Sequence, residues 1–563
     1  MSSSWSLKRY LRSSLEALGV EVEARAAVGS VFRMLGQPAP SACELDPADQ
    51  WRLLVRQGPR RPPSHGPRVL FFPIGGVILQ NLFEAVVMQS LSLRGADVRV
   101  AICDRALDAC ERVHMATTTD RAPRCSACFE KNSAFYRKQG YEPLLMSRLL
   151  QPEDRVEAAR LARSLPRDEI EQFTYQRVPV GRHAYASTLR SLLIGELTGS
   201  PEHEQALRQY LEASLLMALC CRRLLELEAP EVVVVSHGIY LWGVVTDFFR
   251  EHGTRVVVHN VGYRRNTTYW FHQESYHKRL VDEPNALWDE APFTPDNELL
   301  LDAYMDSRRT GALDYLTYHP NPQEDREGLM RELNLDPSAR ILGIFTNIAW
   351  DAAILFRDIA FRNMAEWVIE TIRHFAGRTD VQLVIRCHPA EVKREIETLQ
   401  KVADLVRERF TPLPPNVRVV PAESDVSTYT LSEIVDAGIV YTTKVGLEFA
   451  CRGIPMVVVG EPFYRGKGFT WDPTTPEEYF EILEGLPRGA RMTPEAIARA
   501  KKYAHYYFYR RHLELDYLEP YTQFDPRTAY TLRSLDQLLP GKDPNLDLIC
   551  EGILTGREIL RPV

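Results

Sequence analysis

Lys444 and Glu448 are the first two charged residues of the stretch 439–471 (IVYTTKVGLEFACRGIPMVVVGEPFYRGKGFTW). They stand where an apolar run gives way to a short helical segment, with Gly446 between them. The start of a helix offers unpaired N–H groups and a positive dipole end to phosphate oxygens, and glycine lets the backbone approach closely. This turn predicts an anion site, with Lys444 directed to phosphate and Glu448 to ribose hydroxyl groups. The implied ligand is a nucleotide or nucleotide sugar.

Polar side chains also follow each of the other apolar runs between residues 340 and 462. Parallel strands end at one edge of their sheet, and ligands bind outside that edge. Each of these residues taken singly is explained by an N-cap or a tight turn. Helix capping alone does not require polar residues at all five strand ends, so their convergence on one edge favours a binding site. Besides the residues above, the predicted nucleotide-site residues at these ends are Asn347, Arg386, His388, Ser427, Tyr429, Thr442 and Thr443.

Two further strand ends carry side chains suited to acid–base chemistry. His237 follows the apolar run VVVVS directly, and Asp351 lies in the loop after ILGIF. A histidine or a carboxylate at the edge of a cleft is suited to act as a general base, so these two residues are the predicted catalytic residues. For His237, a hydrogen-bonded turn histidine is an equal alternative.

Two turns of the amino-terminal half are predicted to face an acceptor. Gly75 and Gly76 separate the first apolar run from the first helix, without the G-x-G-x-x-G spacing of a dinucleotide site. A later loop contributes Tyr263, Arg264 and Asn266, which suit a polar or anionic acceptor. A solvated loop is the alternative interpretation for its arginines.

The ten cysteines do not indicate a disulfide scaffold in a chain of this length. Four of them are clustered and end in the pair CSAC: Cys103, Cys110, Cys125 and Cys128. This cluster leaves a structural zinc site open, but the first spacing is not the repeated C-x-x-C of a zinc ribbon. Reduced, partly buried thiols are the preferred interpretation, and no metal is expected.

The composition is that of a globular protein with more than one domain. A chain of 563 residues exceeds what one hydrophobic core usually serves, and a net charge of −7 argues against a general nucleic-acid binder. No apolar run reaches the ~18–20 residues of a membrane helix, and the first twenty residues do not show the pattern expected of a secretory signal. A cytoplasmic location is expected.

Alternating apolar runs and helical segments predict an α/β protein with two doubly wound parallel sheets. The first β-α-β rhythm begins at RVLFFPI, and the second begins at ARILGIFTN. The predicted regions are a helical amino-terminal extension and linker (1–65), a Rossmann-like acceptor-side domain (66–285), a linker (286–335), a Rossmann-like nucleotide-side domain (336–474) and a helical carboxyl-terminal segment packing back across the domains (475–563).

The motif order RCHP, SDVSTY, TTKVGLEFACRGIP and GEPFYRGKGFTWD resembles the capsule polysaccharide biosynthesis proteins, a family that includes bacterial Kdo transferases. The resemblance is best over residues 340–472. It implies the GT-B fold, in which two Rossmann-like domains face a cleft and the carboxyl-terminal domain holds the sugar nucleotide.

Site roles follow from this resemblance as well. It implies that one set of residues surrounds the donor nucleotide: His388, Ser427, Tyr429, Thr443, Gly446 and Glu448. It implies that Tyr464, Gly466 and Thr470 close the site behind the nucleotide. Lys444 departs from the family, which tends to have a small hydroxyl residue there, and a cation suits a CMP-linked acidic sugar or a UDP-sugar.

The resemblance implies a metal-independent glycosyltransferase that needs no cofactor and uses a nucleotide sugar, CMP- or UDP-linked, as substrate. The acceptor is expected to be a surface polysaccharide or a glycolipid, and no nucleic acid is expected as a partner. Alternatives on the same fold are a sugar-nucleotide epimerase, a polyol-phosphate transferase and a non-catalytic glycan-binding module. The lead-in helix and the Tyr/Arg-rich tail leave peripheral contact with the inner membrane open, although a packed helix is preferred.

Overall fold

The computed structural model describes residues 46–76, 78–113, 115, 120–316, 324–351, 359–392, 397–519, 521 and 528–563. Most of the predicted amino-terminal extension, residues 1–45, lies outside these residues. The described part of that extension begins with a helix capped by Asp46, whose carboxylate accepts a hydrogen bond from the N–H of Asp49 at 2.8 Å.

The described strands form two sheets. They are β1 (Arg68–Phe72), β2 (Asp97–Ile102), β3 (Leu144–Leu145), β4 (Val232–Ser236), β5 (Arg255–Val261), β6 (Thr267–His272), β7 (Arg340–Phe345), β8 (Val381–Arg386), β9 (Val417–Val420), β10 (Ala437–Val440), β11 (Met456–Val458) and β12 (Leu513–Glu514).

The described α-helices cover both faces of these sheets. They are α1 (Pro47–Gln57), α2 (Leu79–Leu93), α3 (Ala122–Lys138), α4 (Met146–Leu149), α5 (Pro152–Ser164), α6 (Val180–Leu192), α7 (Pro201–Glu228), α8 (Tyr240–Glu251), α9 (Tyr276–Asp282), α10 (Ala286–Asp289), α11 (Pro295–Ser307), α12 (Arg326–Glu332), α13 (Met364–Phe375), α14 (Val402–Arg409), α15 (Thr428–Ser432), α16 (Val445–Ala450), α17 (Pro476–Gly485), α18 (Pro494–His505) and α19 (Pro544–Thr555). None of these helices has the length and apolar character needed to cross a membrane.

The first sheet has the strand order β12-β6-β5-β4-β1-β2-β3. Its five strands from β5 to β3 are parallel, whereas β6 pairs antiparallel with β5 and β12 pairs antiparallel with β6 at one edge. The central strands β1 and β4 pair with Val69 opposite Val232, and every residue of β4 is buried. Continuous valine runs of this kind are typical of strands covered by helices on both faces.

The second sheet has the order β11-β10-β7-β8-β9 and is parallel throughout. Its central strand β7 is buried along its whole length and pairs with β10 and β8. The structure therefore confirms the predicted fold class, with two Rossmann-like parallel-sheet domains and helical additions. The carboxyl ends of all five strands meet at one edge, as the sequence analysis requires.

The two domains are packed against each other. Ile348 and Trp350, from the loop after β7, belong to the hydrophobic cluster of the first domain. The Trp350 indole donates a hydrogen bond to Thr398 Oγ1 at 3.1 Å, which keeps its N–H satisfied in this buried position. On the other side of the contact, the N–H of Gly195 donates to Gln400 Oε1 at 2.8 Å. The cleft between the sheets is thus bounded by an apolar interdomain contact.

The predicted helical carboxyl-terminal segment is helical only in part. Helix α18 continues into a π-helical turn, Tyr506–Arg511, and the chain then forms β12 against β6 in the first sheet. Leu513 and Leu515 are buried while Glu514 is exposed, and this period of two suits an edge strand rather than a helix. The segment therefore returns to the first domain, where α19 packs against α2.

Candidate functional site

A pocket lies between the carboxyl edge of the second sheet and the linker segment after α11. We call it the strand-edge pocket. It is lined by Arg308, Arg309, Gly311, Asp314, Leu316, Phe345, Thr346, Arg386, Cys387, His388, Pro389, Ser427, Thr428, Tyr429, Thr443, Lys444 and Val445. Six of the predicted nucleotide-site residues are among them: Arg386, His388, Ser427, Tyr429, Thr443 and Lys444.

The ends of β7 and β8 place His388 on the pocket wall. The N–H of His388 donates to Thr346 Oγ1 at 3.2 Å, and its ring Nδ1 accepts a hydrogen bond from the N–H of Ala390 at 3.1 Å. A neutral imidazole that accepts at Nδ1 carries its proton on Nε2. The backbone of the turn therefore holds the ring of His388 in this neutral form on the pocket wall.

Arg386 brings positive charge to the pocket while its N–H groups hold the next loop. Its Nη1 donates to the carbonyl of Pro421 at 2.6 Å and its Nη2 to that of Ser424 at 3.1 Å. Burial lowers the pKa of Arg386 to about 10, so the guanidinium still carries its charge at neutral pH. The same loop leads to Ser427, whose hydroxyl accepts a hydrogen bond from the N–H of Tyr429 at 3.2 Å.

Lys444 lies on the pocket wall above an aromatic ring from the other domain. Its Nζ is 3.8 Å from the centroid of the Tyr263 ring, within the range of a cation–π contact. Burial and the nearby charge of Arg308 lower the pKa of Lys444 to about 7. An anion bound in the pocket would favour the protonated amine, so ligand binding and protonation of Lys444 are linked.

Glu448 does not present its carboxylate to the pocket. It is 1% exposed, accepts a hydrogen bond from the Tyr429 hydroxyl at 2.6 Å, and lies with Oε1 2.9 Å from Arg308 Nε. Burial alone would raise the pKa of Glu448, but Arg308 and Lys444 hold it below its ordinary value. This corrects the expected ribose contact, because a buried carboxylate between a guanidinium and a phenol is already engaged.

Arg308 and Asp314 line the strand-edge pocket, although their segment is predicted to be a linker. Arg308 Nη1 lies 2.7 Å from Asp314 Oδ2, and the Tyr304 hydroxyl donates to Asp314 Oδ1 at 2.7 Å. Arg309 lies on the rim, where it pairs with Glu433 at 2.7 Å. The signal that could have found these residues is the pair of arginines directly after the helical segment DNELLLDAYMDS.

Gly446 and Tyr464 form the support beneath the pocket rather than its wall. The Tyr464 hydroxyl donates to the carbonyl of Thr443 at 2.6 Å, and a Cβ atom at Gly446 would lie 2.2 Å from that hydroxyl oxygen. Asn347 also supports this turn, since its Oδ1 accepts a hydrogen bond from the N–H of Thr442 at 3.1 Å. The absence of a side chain at Gly446 therefore makes room for the Tyr464 hydroxyl, and not for a ligand phosphate.

Gly466 and Thr470 do not line the strand-edge pocket. Asp472 accepts hydrogen bonds from the N–H of Gly466 at 2.8 Å and from the Thr470 hydroxyl at 2.7 Å. Arg465 fixes the same loop through the backbone carbonyls of Val458 and Gly460. The expectation that these two residues close the nucleotide site is corrected, because their polar groups fold the loop onto itself.

The two predicted catalytic residues share one neighbourhood at the cleft. Arg190, from α6 of the first domain, lies with Nη1 3.1 Å from Asp351 Oδ1 of the second domain. The His237 ring lies between Gln80 and Asn260, at 2.9 Å from Gln80 Nε2 and 3.2 Å from Asn260 Nδ2. Burial and the charge of Arg190 lower the pKa of His237 to about 3, so the ring is neutral at physiological pH.

Of the loop predicted to face an acceptor, Tyr263 contacts Lys444 through its ring, and the backbone of Arg264 pairs with that of Asp314 in an isolated β-bridge. Arg264 Nε donates to the carbonyl of Phe508 at 3.1 Å, and Asn266 Nδ2 donates to Asp516 Oδ1 at 2.8 Å. Both side chains thus hold the carboxyl-terminal segment in place. This corrects their assignment to an acceptor site.

Gly75, Gly76 and the four clustered cysteines meet in a second pocket, which we call the glycine-turn pocket. It is lined by Gly75, Gly76, Cys103, Arg105, Leu107, Cys110, Arg112, Val113, Arg124, Cys125, Ala127, Cys128, Lys131 and Trp242. Among the described residues, no group of three or more His, Cys, Asp or Glu side chains is arranged to hold a metal ion. The described residues thus offer no arrangement for the zinc site that was left open at the four cysteines. Burial raises the pKa of Cys103, Cys110 and Cys128, which favours thiols over the thiolates that bind zinc.

The comparisons with known proteins agree with the family resemblance over part of the chain. The family model described as "Capsule polysaccharide biosynthesis protein" matches residues 349–509. This range contains the ends of β8, β9, β10 and β11, and with them most of the residues of the strand-edge pocket. No curated protein matches the sequence.

Several solved structures resemble the chain at low sequence identity. The beta Kdo 2,4 transferase KpsC of Thermosulfurimonas dismutans gives a TM-score of 0.34 at 12% identity, over 55% of this chain and 88% of that chain. The rhamnosyltransferase SpnG gives 0.24 at 14% identity, over 78% and 96%. The UDP-GlcNAc 2-epimerase of Neisseria meningitidis gives 0.26 at 9% identity, over 77% and 97%. Likenesses this distant assign no activity.

Proposed function

We propose that this protein is a glycosyltransferase that moves a sugar from a nucleotide-sugar donor to a surface-polysaccharide or glycolipid acceptor in the cytoplasm. One observation carries the proposal: Arg308, Arg386 and Lys444 converge on the carboxyl edge of a parallel sheet, beside the ring of His388. This is where open α/β sheets bind ligands, and most of it lies within the matched capsule-family range.

Arg386 and Lys444 are suited to the charge that develops in glycosyl transfer, whereas Arg308 is already paired with Asp314 and Glu448. As the sugar leaves the nucleotide, negative charge grows on the phosphate oxygens, and positive groups fixed in a partly buried pocket stabilise that charge. The pocket has one carboxylate on its wall, Asp314, which is already paired with Arg308. We therefore propose that the leaving phosphate is held by these side chains and that no metal ion is required.

The proton of the attacking acceptor hydroxyl needs a base on the other side of the cleft. Asp351 meets this need in position, since it lies at the domain boundary beside Arg190. His237 is held neutral in the same neighbourhood, and with a pKa lowered to about 3 it is a weak base. We propose Asp351 as the proton acceptor and His237 as a residue that contacts the acceptor.

A thermal-shift screen of the full chain against CMP, UDP, GDP, CDP and dTDP tests the proposal. A nucleotide that binds the native state raises the melting temperature by mass action, and Lys444→Met should reduce that shift without preventing folding. The nucleotide found is then supplied as its sugar conjugates. An epimerase would convert the donor without any acceptor, whereas a transferase needs one. A screen in which no nucleotide raises the melting temperature would overturn the proposal.

A further inference from the structure

The glycine-turn pocket presents an excess of positive charge that the proposed reaction does not use. Four exposed cations line it: Arg105, Arg112, Arg124 and Lys131. No carboxylate is among its lining residues, and the three pocket thiols whose pKa burial raises remain neutral. The described ion pairs include none from these four side chains. The wall of the pocket therefore carries an excess of positive charge, and the charge of Arg112 also acts on the neighbouring Glu111, whose pKa burial raises to about 7.

The backbone of the pocket is shaped so that one cation lies over the turn. Gly76 has a φ of +100°, and a Cβ atom there would lie 3.1 Å from Arg112 Nη2. The N–H of Gly76 is oriented by Asn132, whose Oδ1 accepts its hydrogen bond at 3.1 Å. A side chain at this position would both strain the backbone and displace the guanidinium. The turn thus brings Arg112 close to the carboxyl end of β1.

The pocket adjoins the cleft in which the proposed transfer takes place. Glu111, next to Arg112 in the chain, accepts a hydrogen bond from the N–H of Leu241, at the start of the helix that follows the His237 turn. Besides burial, the charge of Arg112 also lowers the pKa of His237. Trp242, on the pocket wall, donates its indole N–H to the carbonyl of Pro73 at 3.1 Å and fixes the end of β1. An anion in this pocket would therefore lie on the acceptor side of the predicted catalytic residues.

We infer that the glycine-turn pocket binds a phosphate group of the acceptor, with Arg112 and Lys131 as its main ligands. Clustered cations beside a glycine turn are suited to a multiply charged oxyanion, since phosphate offers several acceptor oxygens to several donors. The inference rests on the proposed transferase function only in assigning the phosphate to the acceptor. The binding site itself does not depend on that function.

Alkylation of Cys125 tests the inference, because this half-buried thiol lines the same pocket. The full chain is treated with iodoacetamide, and the modification of each cysteine is followed by peptide mass spectrometry. Inorganic phosphate and glycerol 3-phosphate are added separately, with sodium chloride at matched ionic strength as the control for screening. We expect glycerol 3-phosphate near saturation to slow modification of Cys125 by about threefold or more, as occupancy of the site requires. Cys451, buried in the second domain, reports any loss of folding.

The variant R112Q/K131Q is expected to lose this protection, whereas Lys542→Gln, an exposed cation far along the chain, should keep it. Protection that survives in R112Q/K131Q, or no protection by either phosphate compound, would overturn the site. Protection by inorganic phosphate alone would overturn the assignment to the acceptor and leave a site for free phosphate. Because the assay needs neither nucleotide nor turnover, it can fail or succeed independently of the proposed transferase function.

Discussion

Arg308 and Glu448 face each other across the boundary between the interdomain segment and the second domain, with Nε and Oε1 2.9 Å apart. Both side chains are buried. Arg308 Nη1 also lies 2.7 Å from Asp314 Oδ2, and Glu448 Oε2 accepts a hydrogen bond from the Tyr429 hydroxyl at 2.6 Å. The pair joins α16, at the end of β10, to the segment that follows α11. The strand-edge pocket therefore depends on a residue 140 positions away in sequence from the turn that defines it.

Removing one charge from this pair should destabilise the protein. Glu448→Gln leaves Arg308 with a single carboxylate partner, and breaking a buried ion pair costs about 3 kcal/mol. Urea unfolding at neutral pH measures the change. Asp404→Asn, which removes an exposed partner of Arg407 2.6 Å away, is the matched control and should change stability by less than about 0.5 kcal/mol. Equal effects of the two variants would show that the buried pair contributes nothing special.

The lowered pKa of Lys444 predicts how stability depends on pH. In the unfolded chain the amine keeps its proton up to its ordinary pKa of 10.5, whereas in the folded protein it loses the proton near 7. Between these values the unfolded state binds more protons, so this group makes the folded state more stable as the pH rises from about 7 towards 10. Urea unfolding of wild type and Lys444→Met at pH 6 and pH 9 checks the sign. The wild type should gain free energy of unfolding relative to the variant, and a relative loss would contradict the assignment.

Nucleotide affinity should fall over the same titration. Below pH 7 the protonated Lys444 adds a cation to the pocket, and above pH 8 that charge is largely absent unless the ligand holds it. Isothermal titration calorimetry with the nucleotide found by thermal shift should give a Kd that rises by up to about tenfold, roughly 1.4 kcal/mol. Lys444→Arg, which keeps its charge, should flatten the profile. A profile as steep as that of the wild type in this variant would assign the pH dependence to another group.

Gly446 should tolerate no side chain. In Gly446→Ala the new methyl carbon would lie 2.2 Å from the Tyr464 hydroxyl oxygen, which is held by the carbonyl of Thr443. We expect a loss of about 1–3 kcal/mol from overpacking, together with weaker nucleotide binding, because Lys444 belongs to the same turn. Gly485→Ala is the control, since no heavy atom lies within 4 Å of a Cβ there and its φ is not positive. The melting temperatures of both variants measure this, and an equal melting temperature for Gly446→Ala and Gly485→Ala would contradict the prediction.

Asp351→Asn should slow turnover by about 100-fold while leaving nucleotide affinity unchanged, because the amide cannot take the acceptor proton. The substitution keeps an oxygen for Arg190, so folding should be preserved. Asp404→Asn again serves as the surface control. Near-wild-type kcat in Asp351→Asn would remove this residue from the mechanism, and a large rise in Kd would make its role structural.

The variant His237→Ala tests whether His237 contacts the acceptor or takes its proton. With a pKa near 3, the ring is neutral throughout the physiological range, so the pH profile of the reaction should show no inflection from His237 between pH 5 and 8. If His237 contacts the acceptor, the variant should raise the KM for the acceptor more than it lowers kcat. A lost inflection near pH 6.5 in His237→Ala would contradict the lowered pKa.

Much of the fold could be predicted from the sequence because its signals are local. Apolar runs such as VVVVS and QLVI, each followed by a polar turn, mark buried parallel strands and the edge where they end. That rule brought Arg386, His388, Ser427 and Lys444 to one pocket, since parallel strands necessarily end on the same side of their sheet. The place of Gly75 and Gly76 at a strand end followed in the same way.

The sequence by itself determined which residues reach the edge of the sheet, and the tertiary structure decided what each of them does there. Glu448, Gly446, Gly466 and Thr470 stand at the predicted strand ends, yet their partners are Arg308, Tyr464 and Asp472. These partners come from the interdomain segment and from the loop after β11, which fold over the carboxyl edge of the second sheet. No local sequence pattern predicts such long-range contacts. The tertiary surroundings then decided the chemistry, because Arg308 and Lys444 hold the pKa of Glu448 below its ordinary value while burial brings the pKa of Lys444 to about 7.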